Sequence, residues 1–304
     1  MRKQTWTIFA IVLLLAITTT ACGSNDGNGS AASGTIKIGT QTYSEPKILA
    51  AMYKALIEDR TDIKVDIVPD LAASAIVIKS MKSNDIQMAT LYSGEIFNDY
   101  FDIEDTKDRA QVLKQAQEGF DKNYGFKWYD SYGFENTYAL AVRKDVAEAN
   151  QLQSVSDLGK VAKDMKVGVD TTWLERENDG YGAFTDHYGF SFSKTYPMEI
   201  SLVYKAAADK EVDVVLAYTT DAGLKQYDLQ TLTDDKQFFP PYDASPVLRN
   251  DTLEKYPELD EVIPLLVGKI DAATMTALNY EVDVNKRTPE DVAVEFLKGQ
   301  GLLK

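Results

Sequence analysis

Apolar residues along this chain recur with a period of two in some stretches and close to four in others, and the switching predicts its elements. Ile36 and Ile38 alternate with Thr35 and Lys37 ahead of Gly39, which predicts a short strand and then a loop carrying Gln41. Ile48, Leu49, Met52 and Leu56 fall on one helical face, with Ser44 as the predicted cap and Pro46 in the first turn. Ile63, Val65 and Ile67 alternate as a second strand. A helix over 71–81, a buried strand over 86–91 and an amphipathic helix carrying Ala110, Leu113 and Phe120 follow. The pattern resumes with a strand over 137–142, a helix near Asp157, a strand over 167–169 and a helix after Trp173. An element at 198–200, a helix from Ser201 and the apolar run 212–217 continue it. From residue 259 onward the chain reads as helical, the last helix opening with Thr288 as cap and Pro289 at its first position. Alternating strands and helices predict an α/β protein, and the ordered length argues for two lobes. Ligands of open α/β sheets bind beyond the carboxyl ends of strands, which directs attention to the loops after Ile38, Leu91 and Ala217.

The amino terminus has another character. Arg2 and Lys3 precede an apolar stretch within residues 8–20 that is too short for a comfortable membrane span. Thr19, Thr20 and Ala21 lead into Cys22, the order of a bacterial lipoprotein signal in which Cys22 becomes the lipidated first residue. Thr19 stands where Leu is usual. A simple secretory peptide cut nearby, leaving a free thiol, is the alternative; both place the mature chain outside the cytoplasm. Residues 1–21 are thus expected to be a signal peptide and 22–34, rich in Gly, Ser and Asn, a flexible tether.

Charge and composition remove several functions. With 47 acidic against 32 basic residues the chain has a net charge of −15 and repels phosphate backbones, so no nucleic-acid partner is expected. One Cys and one His exclude zinc sites, disulfide frameworks and haem attachment, and no metal or cofactor is expected. Gly159-Lys160 and Gly268-Lys269 lack the following Ser or Thr of a phosphate loop. Glu175, Glu177, Asp179, Gly180 and Asp186 are spaced like a calcium loop with its end residues reversed, and read better as a solvated helix face. His187 reads as a packing residue. Tyrosines stand out instead, 17 of them, several at strand ends: Tyr92 in LYSGE, Tyr138 in FENTYAL with Asn136 two residues before it, Tyr218 in LAYTTD and Tyr242 in QFFPPYDASP.

The segments KIGTQTYSEPKILA, WYDSYGFENTYALAVRKD, DDKQFFPPYDASPVL and MTALNYEVD, behind a lipoprotein-type signal, closely resemble the substrate-binding lipoproteins of bacterial osmoprotectant ABC importers. The resemblance runs from about Thr35 to the carboxyl end. It implies a two-lobed periplasmic-binding-protein fold with two crossovers, residues 35–139 and 244–304 forming one lobe and 140–243 the other. The implied function is non-catalytic: capture of a quaternary ammonium solute such as choline, glycine betaine or carnitine in the cleft, and delivery by a lipid-anchored monomer to an ABC permease. It further implies that Tyr92, Tyr138, Tyr218 and Tyr242 cage the ammonium and that Gln41 meets the ligand's other end. Aromatic faces suit such a head, which can neither donate a hydrogen bond nor lose its charge. Glu95, three residues after Tyr92, departs from the Thr that some members carry and would favour a ligand without a carboxylate, if it does not simply face solvent. A binder of another amine or amino acid, a ligand-sensing surface lipoprotein, and an enzyme with an acidic pair are the competing readings; the cleft candidates are aromatic and amide, which disfavours the last.

Overall fold

Ten strands form two five-stranded sheets in the computed structural model, which describes residues 34–175 and 180–303. The expected signal peptide, Cys22, the tether up to residue 33, and Glu177 and Asp179 of the acidic run lie outside the described residues. The first sheet holds β1 (Thr35–Gly39), β2 (Lys64–Val68), β3 (Met88–Tyr92), β4 (Phe126–Trp128) and β10 (Ala244–Arg249), in the order β2-β1-β3-β10-β4. The second holds β5 (Tyr138–Arg143), β6 (Lys166–Asp170), β7 (Lys194–Met198), β8 (Val214–Tyr218) and β9 (Leu229–Thr231), in the order β7-β6-β8-β5-β9. In each sheet three strands run parallel and an antiparallel strand sits beside them, β10 against β3 and β5 against β8.

Both faces of the first sheet are covered, which is why β3 is apolar almost throughout. Successive residues feed opposite cores: Met88 and Tyr92 pack with α1 (Ser44–Arg60) and the carboxyl-terminal helices, Ala89 and Leu91 with α2 (Ser74–Lys82) and α3 (Arg109–Tyr124). The second sheet divides in the same way. Leu140, Val142, Val214 and Leu216 join an aromatic-rich core with Trp173, Phe184 and Phe239, while Ala141, Val215 and Ala217 face the helix Ile200–Ala208.

The helices differ from expectation mainly at their starts. α2 begins at Ser74, leaving Leu71 in the loop, because Asp70 and Ala72 adopt positive φ (63° and 40°) that no helix admits. Tyr43, whose side chain makes no capping bond, takes the cap position of α1; Ser44 is the first helical residue and donates to the Asp283 carboxylate. The buried face of α3 is Val112, Ala116 and Phe120, and Ala110 is exposed. The element at 198–200 divides, β7 ending at Met198 and the next helix opening at Ile200. The stretch from Leu259 tightens into a 3-10 turn over Ile263–Leu266, where Pro264 removes a donor. Thr288 caps the last helix as expected, accepting from the Asp291 amide at 3.1 Å.

The chain passes between the sheets twice, after β4 and before β10. Where the two segments cross, Glu135 and Asp243 form an antiparallel bridge. A further link joins the helix Ala222–Gln226 to the helix Ala272–Asp283: Lys225 Nζ stands 4.8 Å above the Tyr280 ring, and Asn279 Nδ2 donates to the Thr220 carbonyl at 2.9 Å.

Candidate ligand-binding site

The ends of the two sheets and the crossing segments enclose a cavity of about 330 Å³. From the first sheet's side come Tyr43 in the loop after β1, Ser74 at the start of α2, Tyr92 at the end of β3 and Glu95 in the 3-10 turn Ser93–Phe97. The crossing segments contribute Asn136 and Tyr242. Ile200, Tyr218 and Asp221 close it from the second sheet. A groove of about 650 Å³ runs along α3 but is lined by exposed polar side chains such as Lys114, Glu118 and Lys122, with no converging groups.

Each aromatic wall has its own support. Tyr138 and Tyr218 are directly opposed in the β5–β8 register, their rings stack at 4.8 Å and their hydroxyls lie 3.3 Å apart. Tyr138 continues to Phe239 at 5.9 Å, so the Tyr218 face is the outer end of the second sheet's aromatic core. Tyr242 is held through its neighbours: the Asn136 amide donates to its carbonyl at 2.9 Å, and Ser93 and Asp243 exchange two bonds at 2.9 Å. Beside it the Arg109 guanidinium grips both Asp243 oxygens, Nε at 2.9 and 2.8 Å, and stands 4.0 Å from Glu135.

Among the described residues, acids and no bases line the cavity. Glu95 is 7% exposed; burial pushes its carboxyl up, against a hydrogen bond from Asn98 at 3.2 Å. Burial likewise raises Asp221 to about 6, opposed by the Tyr204 hydroxyl that donates to it and reinforced by the negative charges of Glu45 and Asp283. Behind the wall lies Glu45, accepting from Tyr92 and Asn136. Aromatic faces with carboxylates and, among the described residues, no lysine, arginine or histidine favour a cation over a phosphate or sulfate. No cluster of three metal-ligating side chains occurs among the described residues.

Of the residues singled out from the sequence, Tyr92, Glu95, Asn136, Tyr218 and Tyr242 line the cavity. Tyr138 stands behind Tyr218 rather than in the lining. Gln41, 1% exposed, lies beneath it, donating to Ser74 Oγ at 3.2 Å and the Thr90 carbonyl at 3.4 Å. Sequence reading missed Tyr43, Ser74, Ile200 and Asp221 in the lining, and Glu45 behind it. Tyr43 and Asp221 fall in two of the loops expected to bear the site; Ser74 and Ile200 were hidden by the misplaced helix starts. His187 packs against Tyr188 and Phe238 and bonds the Lys236 carbonyl at 3.0 Å, away from the cavity.

Comparison with known proteins adds three findings. Residues 34–299 match the family described as the substrate-binding domain of ABC-type glycine betaine transport systems. The chain is 40% identical over 299 residues to the carnitine transport binding protein OpuCC of Listeria monocytogenes, covering 98% of this chain and 97% of that protein, and 32% identical over 294 residues to a glycine-betaine-binding protein of Pseudomonas aeruginosa, covering 93% of each. A crystal structure described as a glycine betaine/carnitine/choline ABC transporter superposes with a TM-score of 0.85 at 38% identity, covering 90% of this chain and all of the other.

Proposed function

This chain belongs to the family of substrate-binding domains of ABC-type glycine betaine transport systems, and from that premise we propose that it captures a quaternary ammonium solute between its lobes and hands it to an ABC permease. The observation that carries this reading is the cavity itself, where Tyr43, Tyr92, Tyr218 and Tyr242 meet Glu95 and Asp221 with no basic side chain among the described residues of the lining. Each aromatic face is worth roughly 0.5 to 2 kcal/mol to a cation, more as water leaves the cleft. Ligand contacts from both sides of the cavity favour the closed arrangement, which is what a permease would recognise. The lobes are divided near residues 139 and 243 as the resemblance implies, the first boundary moved back so that Tyr138 and Ala139, which pair with Tyr218 and Ala217, go with the second lobe.

The mature chain works outside the cytoplasm, held to the membrane by lipid on Cys22 through the Gly- and Ser-rich tether, as a monomer. No described helix is long and apolar enough to cross a membrane. Cys22→Ala should release the protein without changing its affinity, and retention of that variant on membranes would remove the anchor from the proposal.

Calorimetric titration of the chain lacking residues 1–22 with choline, glycine betaine, carnitine and proline tests the function. Saturable binding of at least one quaternary ammonium compound is expected. Binding of proline alone, or of none of the four, would overturn the reading.

A further inference from the structure

Glu45, the second residue of α1, carries a carboxylate that is 1% exposed. Its Oε1 accepts from the Tyr92 hydroxyl at 2.7 Å and from Asn136 Nδ2 at 3.1 Å, and Asn279 Nδ2 approaches Oε2 at 3.5 Å. The Tyr43 hydroxyl donates to Tyr92 at 2.9 Å, so two cavity tyrosines are chained to one buried acid. Its hydrogen-bond partners among the described residues, Thr220 included, are neutral, and none of the ion pairs formed there involves it. Burial pushes the Glu45 carboxyl up, against amide and hydroxyl donors that favour the ionised form.

A buried carboxylate served only by neutral donors is a poor stabiliser; an apolar residue of like size would do better. Its position suggests what it does instead. Two of its direct partners, Tyr92 and Asn136, line the cavity, and Tyr43 is one bond further on. Buried surroundings screen its field weakly, and a phenol that donates to a carboxylate presents a more electron-rich ring to a cation.

We propose that Glu45 is a positioning and specificity-determining residue: without touching the ligand, it fixes Tyr92 and Asn136 and makes the cavity prefer a charged head over a neutral one of the same shape. A cation in the cavity is then the counter-charge that the fold withholds from Glu45. The inference rests on the proposed function and deepens it, because it assigns the choice of charge to a residue behind the wall as well as to the wall.

The test compares choline with 3,3-dimethyl-1-butanol, its neutral isostere with carbon in place of nitrogen, on the native chain and on Glu45→Gln. Glutamine keeps an acceptor for Tyr92 and Asn136 and removes the charge. The affinity ratio of choline to the alcohol should fall about tenfold in Glu45→Gln, nearly all through choline, while the melting temperature of the empty protein stays level or rises. Tyr92→Phe, which cuts the link and keeps the ring, should show a smaller fall in the same ratio, and it decides the matter if Glu45→Gln does not fold. An unchanged ratio, or equal weakening of both ligands with a lower melting temperature, overturns the inference and leaves Glu45 a structural acid. Failure of the native chain to bind choline or any other quaternary ammonium compound overturns the proposed function as well, and the two failures are thereby distinguished.

Discussion

The ring of Tyr242 lies against the backbone of Gly94, so closely that a Cβ there would stand 2.5 Å from two of its carbons. Gly94 has no left-handed φ, so an alanine would be tolerated by the backbone and rejected only by the ring. Gly94→Ala should therefore displace Tyr242 into the cavity and weaken ligand binding by about tenfold, with a modest loss of stability. Titration beside a melting curve checks this; native affinity would mean that Tyr242 does not contact the ligand.

Tyr218 and Tyr138 should respond differently to truncation. Tyr218→Ala removes a lining face and should weaken binding about tenfold while changing the melting temperature of the empty protein little. Tyr138→Ala removes the ring behind it, which also packs on Phe239, and should lower affinity and melting temperature together. Identical profiles for the two variants would contradict the arrangement of lining and support.

Glu95 sets the expected order of ligands. Its carboxylate lines the cavity, and its hydrogen-bond partners Ser74 and Asn98 are neutral, so it attracts a net cation and repels a carboxylate brought near. Choline should bind better than glycine betaine, and Glu95→Thr should move the preference toward betaine by up to about a hundredfold. Tighter binding of betaine by the native chain, measured near neutral pH, would refute this.

Acid should weaken capture of a cation. Asp221, raised to about 6, faces the Tyr204 hydroxyl, Glu45 and Asp283, and Glu95 shares its cavity. Because the folded state holds this proton more tightly than the unfolded chain, stability of the empty protein declines as pH rises from about 4 through 6. Cation binding runs the other way, since the ligand favours the ionised form: choline affinity should drop between pH 7 and 5, up to about tenfold from this group. Asp221→Asn should flatten that part of the profile; an equally steep profile would assign it to Glu95 or Glu45.

Arg109 should matter for stability more than for chemistry. Its fork holds the nearly buried Asp243 where the chain crosses between sheets. Arg109→Met leaves that carboxylate without its main partner and should cost on the order of 2 kcal/mol, less than for a fully buried pair because the arginine is half exposed. Addition of Asp243→Asn should recover much of the loss in a denaturant titration; no recovery would place the cost elsewhere.

What could be read from the sequence followed from local rules. Strands such as β1 and β6 show their period of two, and Tyr92, Tyr218 and Tyr242 stand beside strand ends and prolines where loops open. The rest depended on contacts remote in sequence. Glu45 looks like an ordinary acid in a first helical turn, where the helix dipole already welcomes it; only the arrival of Asn136 and Asn279 turns it into a hub. Tyr138 cannot be told from a lining residue until the antiparallel register opposes it to Tyr218. Positive φ at Asp70 and Ala72, which delays α2 and brings Ser74 to the cavity, has no signature as strong as a glycine.

The placement of β10 also dictates an order of assembly. Phe126, Lys127 and Trp128 of β4 pair with Arg249, Leu248 and Val247, residues made only after every strand of the second sheet. As the chain emerges, the second sheet has all its strands while the first still presents two unfilled edges, on β3 and β4. A nascent or truncated chain ending before residue 244 is therefore open to strand addition by other copies at that gap. The segment that completes the cavity wall with Tyr242 runs straight into the strand that seals the gap, so the site is finished in the same step that makes the protein safe from its neighbours.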